Sequence, residues 1–167
     1  TRTLIGFQPC AIVLDFDGVF TPNTVIVFQD GTEAVQCNRG DGAGLSRMRK
    51  AGVPMLVLSA EVNPVVSARC KKLNIQCIQG IEDKRPVLLK WLHQQNLNPA
   101  HAIYIGNALP DIPCMQAVGC GVAVADAQPE VLDAADIVLR TRGGHGAIRE
   151  LVDLITETAR EQKEASR

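Results

Sequence analysis

The chain has 167 residues, 46% of them hydrophobic and 21% charged, enough for one domain with a sizeable core and too few for two of usual size. A formal net charge of −1 argues against nucleic acid or an anionic membrane as the main partner, and no apolar stretch reaches the length of a membrane span. Six cysteines, at 10, 37, 70, 77, 114 and 120, include no Cys-x-x-Cys and no histidine at ligand spacing, which points away from zinc or a disulfide framework and toward a reducing cytoplasm.

Thr1–Gly6 lacks the apolar region of a signal peptide, and a start at Thr leaves open both initiator removal and excision from a longer polypeptide. The first predicted strand, Ala11–Phe16, runs into Asp15-Phe16-Asp17-Gly18-Val19-Phe20-Thr21. Period-two alternation turns Asp15 and Asp17 the same way, and Gly18 permits a sharp turn behind them. Two carboxylates this close repel, so the pair makes sense around a divalent cation or a shared proton, and a carboxylate can also attack phosphorus. Next come the β-prone runs Thr24–Phe28 and Glu33–Cys37, joined by Gln29-Asp30-Gly31-Thr32, which predict a hairpin. Inserted directly after the acidic pair, this flap of about residues 24–37 is expected to serve as a lid or a subunit contact.

Helices are then predicted at 42–51, 62–73, 83–96, 109–118 and 129–135, alternating with strands Pro54–Ser59, Ile75–Ile78, Ala102–Gly106, Gly121–Ala125 and Ile137–Leu139. The near-continuous apolar character of these strands implies burial on both faces, hence a three-layer, doubly wound α/β domain with a parallel sheet over 1–167. From Gly146 to about Glu161, Ile148, Leu151, Val152, Ile155 and Ala159 mark an amphipathic helix, followed by a frayed polar tail at Gln162–Arg167.

Ligands of such folds bind beyond the carboxyl ends of the strands. There Ser59 can offer a hydroxyl to a phosphoryl oxygen, Lys84 an ammonium to phosphate and nucleophile together, and Asn107 and Asp111 oxygens to a metal. Alone, each has a plain reading as a helix cap or solvated charge. Their succession on four strand ends resembles the haloacid dehalogenase superfamily of phosphohydrolases, which implies a Rossmann-like sheet with helices on both faces. A hairpin in place of a large cap is similar to the tetrameric subgroup containing 3-deoxy-octulosonate 8-phosphate phosphatase. Also similar to that subgroup are Asp41-Gly42-Ala43-Gly44, Gln79-Gly80, Val122-Ala123-Val124-Ala125-Asp126-Ala127 and Gly143-Gly144-His145-Gly146-Ala147-Ile148-Arg149-Glu150.

The resemblance implies phosphoryl transfer to Asp15, acid–base work by Asp17, charge neutralisation by Ser59 and Lys84, and Mg²⁺ held among Asp15, Asp17, Asn107 and Asp111. It also implies a homotetramer whose neighbouring subunit helps to close each site. The family's fourth motif usually begins Gly-Asp-Asp, whereas this chain has Gly106-Asn107-Ala108, which removes one negative charge. Two readings follow: a working cytoplasmic phosphatase with a weaker metal site, or a domain retained for assembly, as in the phosphatase-like domain of CMP-sialate synthetases. Ser59-Ala60-Glu61 and Lys72 resemble the 2-keto-3-deoxynononate 9-phosphate phosphatases. The expected substrate is therefore a small phosphorylated acidic keto-sugar of nononate or octulosonate type, met by Ala60, Glu61, Arg69, Lys72 and Asp41. A phosphotransferase or a general house-cleaning phosphatase is a further possibility. Glu61 and Lys72 also have plain readings as a helix N-terminal charge and a solvated helix face, His93 and His101 fall in no cluster of motif residues along the sequence, His145 either reaches a neighbouring site or faces water, and Trp91 reads as helix packing.

Overall fold

The structure is a computed structural model that describes residues 8–165. The readings of Thr1–Gly6 and of the last two residues lie outside that range. Six parallel strands form the main sheet: β1 (Ala11–Leu14), β4 (Met55–Leu58), β5 (Gln76–Ile78), β6 (Ala102–Gly106), β7 (Cys120–Ala123) and β8 (Ile137–Val138), in the order β5-β4-β1-β6-β7-β8. Every residue of β1, β4, β6 and β7 is buried, as their apolar runs require. The helices fall into two groups. Packed with one another are α1 (Arg39–Lys50), α2 (Pro64–Leu73) and α6 (Ala147–Ala165), and separately α3 (Lys84–Gln94), α4 (Ile112–Gln116) and α5 (Pro129–Ala134).

Strand order reverses at β1, with β4 on one side and β6 on the other, which opens a crevice at its carboxyl end. The register aligns Leu14 with Val57 and with Ile105, so the residues that follow these strands emerge together. β1 ends at Leu14 rather than at Phe16, because Val19 and Phe20 N–H both bond back to the Phe16 oxygen and close a turn. Asp15 and Asp17 are thus brought together by that turn and not by strand pleat. Phe16 and Phe20, stacked with ring centroids 5.2 Å apart, anchor it in the core.

Several boundaries differ from the sequence expectation for local reasons. α1 begins three residues early because Asn38 caps it, accepting from Gly40 N–H at 2.7 Å, despite the glycines in its first turns. The helix predicted over 109–118 divides into a 3₁₀ turn at Leu109–Asp111 and the short α4, with Pro110 and Pro113 each near a start. α6 runs to Ala165, past the expected end at about Glu161. Trp91 packs in the core as expected and donates to Gln76 at 2.8 Å.

The hairpin forms, though only Ile26–Val27 (β2) and Glu33–Ala34 (β3) pair as strands. Asp30 accepts from Thr32 N–H and hydroxyl across its tip, and Gly31 takes a φ of +83° there. Asn63, the α2 cap, donates to Glu33 at 2.9 Å and fixes the hairpin over the crevice. Val25, Ile26, Val27 and Phe28 are 48–64% exposed, an apolar ridge that stays uncovered by the described residues.

Candidate active site

Lys84 is the hub of the site. Its ammonium donates to Asp15 Oδ1 at 2.7 Å and to Asp111 Oδ1 at 2.8 Å, with all three side chains buried. Phe16 N–H donates to the same Asp15 oxygen at 2.7 Å. Burial, then the charge of Asp111, push the Asp15 carboxyl up to about 7 against the pull of Lys84. The Lys84 ammonium is also held above its ordinary value: burial works against its charge, but the two carboxylates outweigh burial. Asp17 is half-buried and raised as well, by desolvation and then by the nearby Glu61 charge.

One terminal atom of the Asn107 carboxamide stands 2.8 Å from the Asp17 main-chain oxygen and 3.1 Å from Asp15 Oδ2. Turned nitrogen-inward, the amide donates to both. Turned oxygen-inward, it completes a set of three acceptors with no proton among them, which a cation would stabilise. Magnesium–oxygen distances of 2.0–2.1 Å in an octahedron put adjacent oxygens about 2.9 Å apart, so these separations fit a small hard cation. Among the described residues no three His, Cys, Asp or Glu side chains converge on a metal. The set here is one carboxylate oxygen, one main-chain carbonyl and one carboxamide.

Glycines allow the close approach. A Cβ on Gly18, whose φ is +81°, would lie 2.5 Å from Asn107 Cγ. A Cβ on Gly143 would lie 1.8 Å from the Gly18 oxygen, so the Gly143–Gly146 loop backs the turn that carries Asp17. His145 belongs to this loop, is exposed, and bonds Gly143 O through Nδ1.

Asp15, Asp17, Ser59, Lys84 and Asn107 all line one cleft of about 530 Å³, together with Ala60, Glu61, Val62, Glu33 and the hairpin residues Asn23–Val25. Ser59 Oγ accepts from Glu61 N–H at 3.1 Å, which leaves its own hydrogen for a ligand. Glu61 lines the cleft, and its Oε1 accepts from Val62 and Asn63 N–H, as a helix-start charge does.

Asp111, expected among the metal ligands, has other work. Oδ1 accepts from Lys84 and Tyr104, and Oδ2 from the N–H groups of Asn107 and Ala108. With four donors and no exposure, its carboxylate holds Lys84 instead. Asp41, Arg69 and Lys72 do not line the cleft. Asp41 is buried and accepts from Arg149 N–H at 2.9 Å, capping α6; Arg69 donates to Asn38 O; Lys72 is exposed on α2. Glu33 and Tyr104 escaped the sequence reading: the one lies in a hairpin read for its apolar residues, the other within an unbroken apolar strand. A polar Tyr104 between Ile103 and Ile105 was the available signal.

Asn107→Asp should tighten Mg²⁺ binding at least tenfold by titration calorimetry, since a unit charge about 4 Å away contributes up to roughly 4 kcal/mol at an effective dielectric of about 20. The metal-free variant should also melt lower, because the amide donors to Asp17 O and Asp15 are gone. Asp15 must be ionised to hold the cation, so wild-type affinity should rise as pH climbs to about 7 and level off above it. Unchanged affinity in the variant would remove Asn107 from the ligand set.

Residues 63–151 match the family of haloacid dehalogenase-like hydrolases. The 3-deoxy-D-manno-octulosonate 8-phosphate phosphatase of Escherichia coli K12 is 33% identical over 86% of this chain and 77% of its own. The Moraxella catarrhalis 3-deoxy-D-manno-octulosonate 8-phosphate phosphatase, solved with a magnesium ion, a phosphate ion and KDO, superposes with a TM-score of 0.87 at 28% identity, covering 90% of this chain and 87% of that one. A cobalt-bound deoxy-D-mannose-octulosonate 8-phosphate phosphatase from Haemophilus influenzae gives 0.86 at 30% identity, over 90% and 88%.

Proposed function

The chain belongs to the haloacid dehalogenase-like hydrolases and is a phosphatase related to the octulosonate 8-phosphate enzymes, and we propose that it hydrolyses the phosphomonoester of an acidic keto-sugar in a Mg²⁺-dependent reaction. The observation that carries this reading is the buried Lys84 bridging Asp15 and Asp111 beside the Asn107 carboxamide, which meets the Asp17 carbonyl and Asp15 Oδ2.

A carboxylate oxygen of Asp15 attacks phosphorus, forming an O–P bond as the bond to the sugar oxygen breaks. Asp17 gives its proton to that leaving oxygen, a role that its raised pKa suits. The ionised Asp17 then takes a proton from water, whose oxygen attacks the aspartyl-phosphate and releases inorganic phosphate and free Asp15. Lys84 and the Ser59 hydroxyl meet the negative oxygens of the group in transfer. When bound by Asp15 Oδ2, the Asp17 carbonyl and Asn107, Mg²⁺ supplies further charge neutralisation to those oxygens.

Ala60 and Glu61 face the leaving group, with Glu61 accepting from sugar hydroxyls. Of the residues that line the cleft, Lys84 alone is basic and it is already paired, so the sugar carboxylate falls to a neighbouring copy in a cytoplasmic homotetramer. The apolar hairpin ridge supports such an assembly. Ile26→Asp should convert a sedimenting tetramer to monomers, while a monomeric wild type at micromolar concentration would remove the assembly.

The test of the reaction is phosphate release from nononate 9-phosphate, octulosonate 8-phosphate and neutral hexose phosphates, with Mg²⁺ or with EDTA. Mg²⁺-dependent turnover with preference for the acidic sugars is expected. A second reading, a non-catalytic assembly domain, rests on the Asn107 amide alone, which can satisfy its neighbours with no metal. Absence of turnover on every ester, together with absence of Mg²⁺ binding, would select it.

A further inference from the structure

We infer that Tyr104 is a positioning residue of the phosphoryl-transfer site: its hydroxyl sets the Asp111 carboxylate that sets Lys84 against Asp15. The inference rests on the phosphatase reading above. Tyr104 sits in β6 with no exposure, and its hydroxyl donates to Asp111 Oδ1 at 2.7 Å. That same oxygen receives Lys84 Nζ at 2.8 Å, and Nζ reaches Asp15 Oδ1 at 2.7 Å. Phenol, carboxylate, ammonium and nucleophile therefore form one unbroken chain from the centre of the sheet to the cleft.

The core has no need of the hydroxyl. Ile103 and Ile105 flank Tyr104 on the same strand, equally buried, and a phenylalanine would fill the same space. A buried hydroxyl is costly unless it is bonded, and here it spends its bond on a carboxylate already shared by Lys84 and two main-chain N–H groups. Asp111 packs directly against Gly106, where a Cβ would lie 2.5 Å from the Asp111 Cβ, so only glycine at 106 leaves room for this arrangement.

The hydroxyl moderates how strongly Asp111 competes with Asp15 for the ammonium. Without it, Lys84 is the sole donor to Asp111 Oδ1 and is drawn toward that residue, away from Asp15 and the incoming phosphoryl group. Charge neutralisation in the transition state weakens, while the substrate, which Tyr104 never touches, binds as before.

The experiment compares wild type, Tyr104→Phe and Ile103→Val, a packing control on the same strand, for steady-state hydrolysis of p-nitrophenyl phosphate with saturating Mg²⁺. Tyr104→Phe should lower kcat roughly 10- to 100-fold, the scale of one hydrogen bond to a charged group, with KM changed less than about twofold. Ile103→Val should keep wild-type kcat. Because Tyr104 is the chain's one tyrosine, 3-fluorotyrosine incorporation gives a single ¹⁹F resonance, and that resonance should move when inorganic phosphate and Mg²⁺ are added to the fully folded protein. A Tyr104→Phe kcat within about twofold of wild type, a fall matched by Ile103→Val, or a ¹⁹F resonance indifferent to phosphate would overturn the inference. A wild type inactive on every phosphate ester would instead remove the phosphatase reading beneath it, and the two failures are told apart by the wild-type rate.

Discussion

Replacement of Asp15 by asparagine should abolish phosphate release, by on the order of 10⁴-fold or more, with the fold retained. An amide at this position keeps the volume and can still accept from Phe16 N–H and Lys84, the two donors that now orient Asp15 Oδ1. What it loses is the nucleophile. It also loses the Asp15 oxygen that faces the Asn107 carboxamide, so Mg²⁺ affinity should fall in parallel. Stability should move little, or rise above neutral pH. The sign follows from the folded pKa of Asp15, which lies above the ordinary 3.8 at about 7. Such a group favours the folded state below its unfolded pKa, and that contribution is lost as pH rises through the folded value. Removing it relieves the native state where the carboxylate is forced to ionise. Denaturant melts of both proteins at pH 5 and pH 8 without metal, beside phosphate-release assays with it, check each part. An Asp15→Asn protein that still turns over would refute nucleophilic attack by this residue.

The larger effect on stability belongs to Lys84→Met. Lys84 is 4% exposed, and removing its charge leaves Asp15 and Asp111 facing one another in the interior. Deleting one member of a buried ion pair costs about 3–5 kcal/mol, since the partner charge stays desolvated. For a domain of this size each kcal/mol corresponds to roughly 2–4 °C in Tm. Activity should fall on the order of 10²- to 10³-fold as well, because the transferring phosphoryl oxygens lose a cation. The stability deficit should be smaller at pH 5 than at pH 8. With its cation gone the folded pKa of Asp15 climbs further, and below that value the residue takes up a proton and the repulsion with Asp111 ends. A deficit independent of pH would show that the loss is one of packing, not of uncompensated charge.

The motif positions Asp15, Ser59, Lys84 and Asn107 could be read from the sequence because each follows an apolar run or opens a helix beside one. Parallel strands in register then carry them to one end of the sheet. The sheet and its hairpin were legible for the same reason, since continuous burial and an Asp-Gly turn leave local marks. Side-chain destinations were not. Asp41 stands in a motif-like Asp-Gly-Ala-Gly string, yet it turns inward to cap α6, which starts over a hundred residues later. Asp111 has the spacing of a metal ligand, and only the folded chain reveals that four donors occupy it. Glu33 reaches the cleft through a bond to Asn63 on another element. Such contacts depend on long-range packing, which no local pattern encodes. The role of Gly143 is of the same kind, set by a backbone oxygen far away in sequence.

The measurement closest to the mechanism is mass spectrometry of acid-quenched protein during turnover of a phosphate ester with Mg²⁺. A phosphoryl adduct on the peptide bearing Asp15, absent from Asp15→Asn and lost on neutralisation with hydroxylamine, is the expected result. Steady turnover with no adduct on that peptide, or an adduct borne by a different residue, would contradict covalent transfer to Asp15.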